Sequence, residues 1–295
     1  MKNYKCSKSN GFLQILLMLI LYDILVVFLV LYTDSYVLLS MLRVLLICSN
    51  IYLLYYLLMF ITLKYSIDDS ILNISAIWGL KKYTLPIDTI EGYNKSMGKI
   101  KGVKLSGVGS NSYTLGKAAI HDIGTVRMFV TSNKSVFYIK AGETIYAISP
   151  KDSQSFEEEL IKRDIKLVQW KHQWKRDFHL HRDKRFIIPL VIVSIFILIM
   201  IVNPFLRYWT GKLPTQMPLN FDASFRAKEY GTGKMFAVIQ MLYGFLNMAI
   251  LFFMYYASYF YAKYDKKSAN KFIYISMIVS GAFLLIQFKI LYTFG

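Results

Sequence analysis

Residues 12–32 read FLQILLMLILYDILVVFLVLY, and after Thr33-Asp34-Ser35-Tyr36 residues 37–63 read VLLSMLRVLLICSNIYLLYYLLMFITL. Each run is apolar almost throughout. At 1.5 Å rise per residue the first reaches roughly 30 Å, the thickness of a bilayer's hydrocarbon core. A signal peptide would have a shorter apolar region and a small-residue cleavage site; a four-residue polar turn follows instead, so the pair predicts an uncleaved helical hairpin. Three further runs, 186–205, 235–261 and 272–292, have the same character. The chain has 295 residues, 55% of them hydrophobic, and the excess is gathered in these runs, which is the pattern of a membrane protein and not of a large soluble core.

Basic residues set the expected orientation, because lysine and arginine near the spans stay cytoplasmic. The net charge is +17. Lys2, Lys5 and Lys8 precede the first span, and Lys263, Lys266, Lys267 and Lys271 lie between the fourth and fifth. Residues 162–185 are strongly basic, and the turn at 33–36 carries no cation. The expectation is a multi-pass protein of the cell membrane. Its N-terminus and the segment 64–166 would be cytoplasmic. Its loop 206–234 and its C-terminus would be extracytoplasmic. Four parts follow: a transmembrane hairpin (1–63), a soluble domain (64–166), a basic aromatic segment (167–185) and a three-span membrane domain (186–295).

The soluble segment has a different texture. Ile71 to Trp78, Tyr83 to Ile90, Val126 to Val130, Val136 to Ile139 and Thr144 to Ile148 are short apolar runs punctuated by glycine and aspartate, which predicts a small β sandwich or barrel. Ser149-Pro150-Lys151-Asp152 reads as a helix start with Ser149 as N-cap, and Phe156, Leu160 and Ile161 share a face of the helix that would close one end. With Gly107-Val108-Gly109 leading to Tyr113 and Gly116, this order resembles the bacterial pleckstrin-homology (PH) domains over about 64–166. The resemblance implies a binding or assembly module without catalysis, whose partner is a protein or a lipid headgroup.

In the loop 206–234, Pro214 and Pro218, then Asn220-Phe221, then Tyr230-Gly231 and Lys234 lead into the fourth span. This pattern resembles an uncharacterised bacterial membrane domain also found in SdpI-like immunity proteins of the sporulation-delaying toxin system, over about 186–262. Asn220 stands where that domain has a histidine, and Phe225 where it has a glycine. The resemblance implies a toxin-immunity or envelope-sensor role for the outer loop.

Other candidates are physical. Asp23 lies near the middle of the first span, where a carboxylate costs about 2.5–3.5 kcal/mol on insertion scales. Arg43, about three residues off its depth in the second span, is the expected partner in an intramembrane ion pair; the alternative is a small transporter using both. Trp170, Trp174 and Phe178 fall at helical spacing among Lys171, Lys175, Arg176 and Arg182, as an interfacial helix on anionic inner-leaflet lipids would. His172, His179 and His181 lack an accompanying cysteine or carboxylate at ligand spacing, so no metal site is expected. Gly231-Thr232-Gly233-Lys234 lacks the phosphate-loop spacing. No catalytic motif, cofactor or nucleic-acid partner is expected. Cys6 and Cys48 belong to different levels of the chain and predict no disulfide.

Overall fold

The computed structural model describes residues 2–33, 35–172, 180–222 and 224–295. Among the described residues, five helices are long and apolar enough to cross a membrane: α1 (Gly11–Tyr32), α2 (Tyr36–Thr62), α4 (Lys184–Trp209), α5 (Gly233–Ala262) and α6 (Lys266–Phe294). A sixth, α3 (Ser153–Lys162), is short and amphipathic, with Phe156 and Leu160 buried. The chain forms two compact units. One joins Met1–Leu25 with Leu46–Trp174, the other Val26–Leu45 with Lys175–Gly295.

The first unit is built on two sheets. One runs in the order β1 (Lys2–Lys5), β2 (Lys64–Ile67), β3 (Ile71–Ala76), β4 (Lys81–Pro86). The other contains β5 (Ile90–Ser96), β6 (Gly102–Gly109), β7 (Thr114–Ile120), β8 (Gly124–Val130), β9 (Val136–Ala141) and β10 (Thr144–Ile148), ordered β5-β9-β10-β8-β7-β6. β10 pairs with β8 in parallel, and its other neighbour β9 is antiparallel. Alternation decides the faces: along β3 the side chains of Leu72, Ile74 and Ala76 point inward and their neighbours outward,.

The barrel alternative is corrected: among the described residues the sheets form an open sandwich. One edge of each sheet is engaged in another way. β5 receives residues 166–168 through Tyr93 N–H to Lys166 O (2.9 Å) and Val168 N–H to Tyr93 O (2.7 Å). The end of β1 continues into a ladder with 149–151, through Ser7 N–H to Ser149 O (2.8 Å) and Lys151 N–H to Lys5 O (2.9 Å). Groups engaged in this way are not offered to the other sheet for closing a barrel. That ladder also moves the helix start. Asp152, not Ser149, caps α3, accepting from Ser155 N–H at 3.1 Å.

The same core takes in the neighbouring halves of α1 and α2. Ile15, Leu53, Met59, Phe60 and Leu63 are buried in one cluster with Tyr65, Leu72, Phe129, Phe137 and Phe156. Each fully buried side chain of this size contributes about 1.5–3 kcal/mol. Phe156 meets the rings of Tyr4 and Phe137 edge-on at 5.1 and 5.2 Å, which fixes α3 against both sheets. Gly11 opens α1 where a Cβ would lie 2.7 Å from the Tyr113 ring and 2.8 Å from that of Phe60.

In the second unit α4, α5 and α6 pack against one another. Their buried positions include amides and hydroxyls: Gln240 and Asn247 on α5, Ser276, Ser280 and Gln287 on α6. Gln287 Nε2 donates to Met200 O at 3.0 Å, and Arg207 Nε to Asn203 Oδ1 at 3.2 Å. Residues expected as a loop between the third and fourth spans form a hairpin, β11 (Gln216–Phe221) with β12 (Ala227–Thr232).

Candidate functional site

The clearest gathering of polar groups outside a core lies on the first unit, where three loops meet. Gly98 N–H donates to Asn133 O (2.9 Å), tying the β5–β6 loop to the β8–β9 loop, and Ile100 N–H donates to Asn111 O (3.0 Å), tying it to the β6–β7 turn. The cluster exposes Lys99, Lys101 and Lys134. It also holds the hydroxyls of Ser110 and Ser112, 2.8 Å apart, and Ser135, whose buried Oγ has no hydrogen-bond partner.

A rigid base holds this end of the domain. Thr131 N–H donates to Ser149 Oγ (2.9 Å), and Thr131 Oγ1 donates to Ser7 O (2.6 Å). Tyr65 Oη donates to Phe129 O at 2.6 Å. Cys6 Sγ donates to Leu63 O at 3.0 Å, and burial pushes its thiol up to about 11. Tyr113, at the end of the β6–β7 turn, puts its ring edge-on to Phe60 with centroids 5.7 Å apart. The cationic loops therefore stand beside the start of α1 and the end of α2. Three lysines with hydroxyl and amide groups can take an anionic, oxygen-rich group; no step of bond making is implied by them.

The first unit also carries an ion network. Glu159 on α3 accepts from Arg163, which holds its carboxyl down to about 2, and also faces Lys162 and Lys2. Arg163 reaches Asp69 at 3.2 Å as well. This fastens α3 to β1 and to the β2–β3 turn, and is architectural. Among the described residues no group of three His, Cys, Asp or Glu could hold a metal ion.

The sites expected from sequence are distributed differently. Asp23 accepts a hydrogen bond from Asn50 Nδ2 at 2.7 Å, and no salt bridge to Arg43 occurs among the described residues. Asn50 is two turns beyond Arg43 on α2, and so on the same stripe; Arg43 is exposed,. The interfacial helix is corrected over 167–172, which is not helical: β5 engages the backbone at its start through Tyr93, and His172 N–H donates to Asp122 O at 2.7 Å. Trp170 packs with Ile100 and Ile123 on a second apolar cluster of the sandwich, while Lys171 is exposed. Trp174, Lys175, Arg176, Phe178 and His179 lie outside the described residues. Arg182 is exposed in a short turn before α4.

The residues of the 206–234 loop that were expected to lie outside form the β11–β12 hairpin. Pro214 precedes it and is exposed; Pro218 is buried and faces Tyr230 across the ladder. Asn220 donates to the Glu229 carboxylate. Phe221 stacks on Phe225 at 4.6 Å, and Lys289 Nζ sits 3.9 Å from the Phe225 ring centre. Tyr230 and Lys234 are exposed and Gly231 is half-buried.

Comparison with known proteins then adds the family. An uncharacterized protein of Clostridium acetobutylicum is 42% identical over 261 residues, which covers 88% of each chain. This chain belongs to that protein's family. Residues 63–164 match the family model of the bacterial PH domain, and no solved structure matches the chain. The bacterial PH domain thus comprises β2 to β10 and α3, and the three loops of the cluster, two of which bear its lysines, are its own. PH domains bind proteins or lipids. The sequence did not single out these lysines, because Lys99 and Lys101 come from one loop and Lys134 from another, and the β5–β9 pairing brings the two together.

Proposed function

We propose that this chain is a non-enzymatic, multi-pass protein of the cell membrane, and that its PH domain holds an anionic lipid headgroup of the cytoplasmic leaflet. One observation carries the reading: Lys99, Lys101 and Lys134 gather at the end of the domain where Tyr113 packs on Gly11 and Phe60. With α1 and α2 crossing the bilayer, that end stands at the surface from which they emerge. The concentration of Lys2, Lys5, Lys8, Lys263, Lys266, Lys267 and Lys271 on the same expected side supports a cytoplasmic placement,. Each lysine near an anionic leaflet contributes about 1 kcal/mol, screened by salt.

The test is native mass spectrometry of the full chain extracted from vesicles of mixed phosphatidylglycerol and phosphatidylcholine. Retained phosphatidylglycerol should fall in the variant Lys99→Gln, Lys101→Gln, Lys134→Gln, with retained phosphatidylcholine unchanged. Equal retention by both proteins overturns the lipid assignment. Affinity capture in mild detergent, with residues 64–166 present or deleted, then asks whether a protein partner depends on the domain instead.

A further inference from the structure

The turn between β3 and β4 is made of Ile77, Trp78, Gly79 and Leu80, with φ of +53°, +51° and +94° at the first three. Two of these are bulky L residues in the left-handed region, which ordinary turns reserve for glycine or asparagine. The strained turn displays two large apolar side chains: Trp78 is 78% exposed and Leu80 88%. Lys81 and Lys82 follow at once.

This turn lies against the end of α2. Ile77 N–H donates to Thr62 Oγ1 at 2.7 Å, and Thr62 is the last residue of the helix. Lys81 Nζ lies 5.1 Å from the centre of the Tyr55 ring, two turns earlier. α2 has 27 residues and so is about 40 Å long, against about 30 Å of hydrocarbon. Roughly 10 Å, or two turns, is left over, so a helix whose other end starts at the far boundary reaches the near boundary close to Tyr55. Tyr52, Tyr55 and Tyr56 cluster there, with rings 5.0 Å apart in each adjoining pair, as aromatic residues do at a membrane–water boundary. The exposed Leu54, Leu58 and Ile61 continue the apolar surface of the helix past the turn.

We propose that Trp78 and Leu80 are a membrane anchor of the PH domain, inserted at the boundary between acyl chains and headgroups, with Lys81 and Lys82 at headgroup level. The proposal rests on the reading that α2 crosses the bilayer. The occupant of this patch is the bilayer itself, because the patch is continuous with a helix surface that needs lipid.

The experiment uses the full chain in vesicles of phosphatidylcholine and phosphatidylglycerol. Trp170→Phe, Trp174→Phe and Trp209→Phe leave Trp78 as the single tryptophan. Its emission should lie toward the blue, and lipids brominated near the headgroup end of the chain should quench it more than lipids brominated near the methyl end. A second reporter, Leu80→Trp with Trp78→Phe in the same background, should behave alike, so a local effect of one substitution cannot decide the result. Cys48, in the middle of α2, carries an environment-sensitive label in a Cys6→Ser background and reports on the helix separately. A lipid-embedded Cys48 with both tryptophan reporters unquenched and red-shifted overturns the anchor alone. A water-exposed Cys48 overturns the crossing of α2 and the anchor with it.

Discussion

The Asp23 carboxylate on α1 accepts a 2.7 Å hydrogen bond from the Asn50 amide on α2. The amide is itself anchored by its second N–H, to Leu46 O at 3.0 Å. Asn50→Leu should therefore strand the carboxylate and lower stability by about 1–3 kcal/mol. Asp23→Leu added to it should recover part of that loss. A double-mutant cycle in detergent measures this, and additive losses would separate the pair.

Gly11 is fixed by two rings. A Cβ there meets Tyr113 at 2.7 Å and Phe60 at 2.8 Å, so Gly11→Val should lower the unfolding midpoint through a cost of about 1–3 kcal/mol for overpacking. Tyr113→Ala in the same chain should relieve the clash. Thermal unfolding of the two variants gives the comparison, and a Gly11→Val protein as stable as the parent would refute the close approach.

Gly107 and Gly116 face each other across β6 and β7, with φ of +96° and +129°. A Cβ on Gly116 would lie 2.3 Å from Ser106 O, a backbone atom that cannot turn aside. Gly116→Ala should loosen the hairpin, seen as faster amide exchange in β6 and β7 than in β3. Unchanged exchange there would show that the strands can separate without cost.

Cys6 gives a prediction in pH. Burial raises its thiol from the ordinary range to about 11, so the folded state keeps the proton more tightly than the unfolded chain. The associated stability is complete below pH 9 and is lost as pH rises toward 11, by about 2–3 kcal/mol. Tyr65, also pushed up by burial, acts in the same direction. Cys6→Ala should therefore show a shallower alkaline decline in unfolding midpoint than the parent, and identical slopes would remove the thiol from the account.

The five apolar helices were legible because apolar length is a property of contiguous residues; so were β8, β9 and β10, whose runs stand between turns. The remainder depends on pairings distant in sequence. Lys2–Lys5 carries no strand signal of its own and is a strand because Lys64–Ile67 lies beside it. The spacing of Trp170, Trp174 and Phe178 suggests a helix, but 167–172 is not helical: hydrogen bonds of Tyr93 in β5 with 166–168 and of His172 with Asp122 engage its backbone, and such tertiary engagement overrides periodicity. Asn50 went unread because a carboxylate invites a cation, whereas the amide satisfies it without burying a second charge. The loop lysines were invisible for the same reason as β1: their neighbours are set by the sheet.

The ladder between β1 and β2 has a consequence for how such a chain can change. Lys2 sits opposite Ile67 and Lys5 opposite Lys64, while both α1 and α2 lie between them in the chain. Strands that pair must share one face of any barrier the intervening helices traverse, so the number of traversals between them is even. Insertion or loss of a single crossing segment in that interval would part the two strands for good; only changes by pairs keep the ladder intact. The ladder is thus a parity lock, closed only by a chain that has threaded out and back.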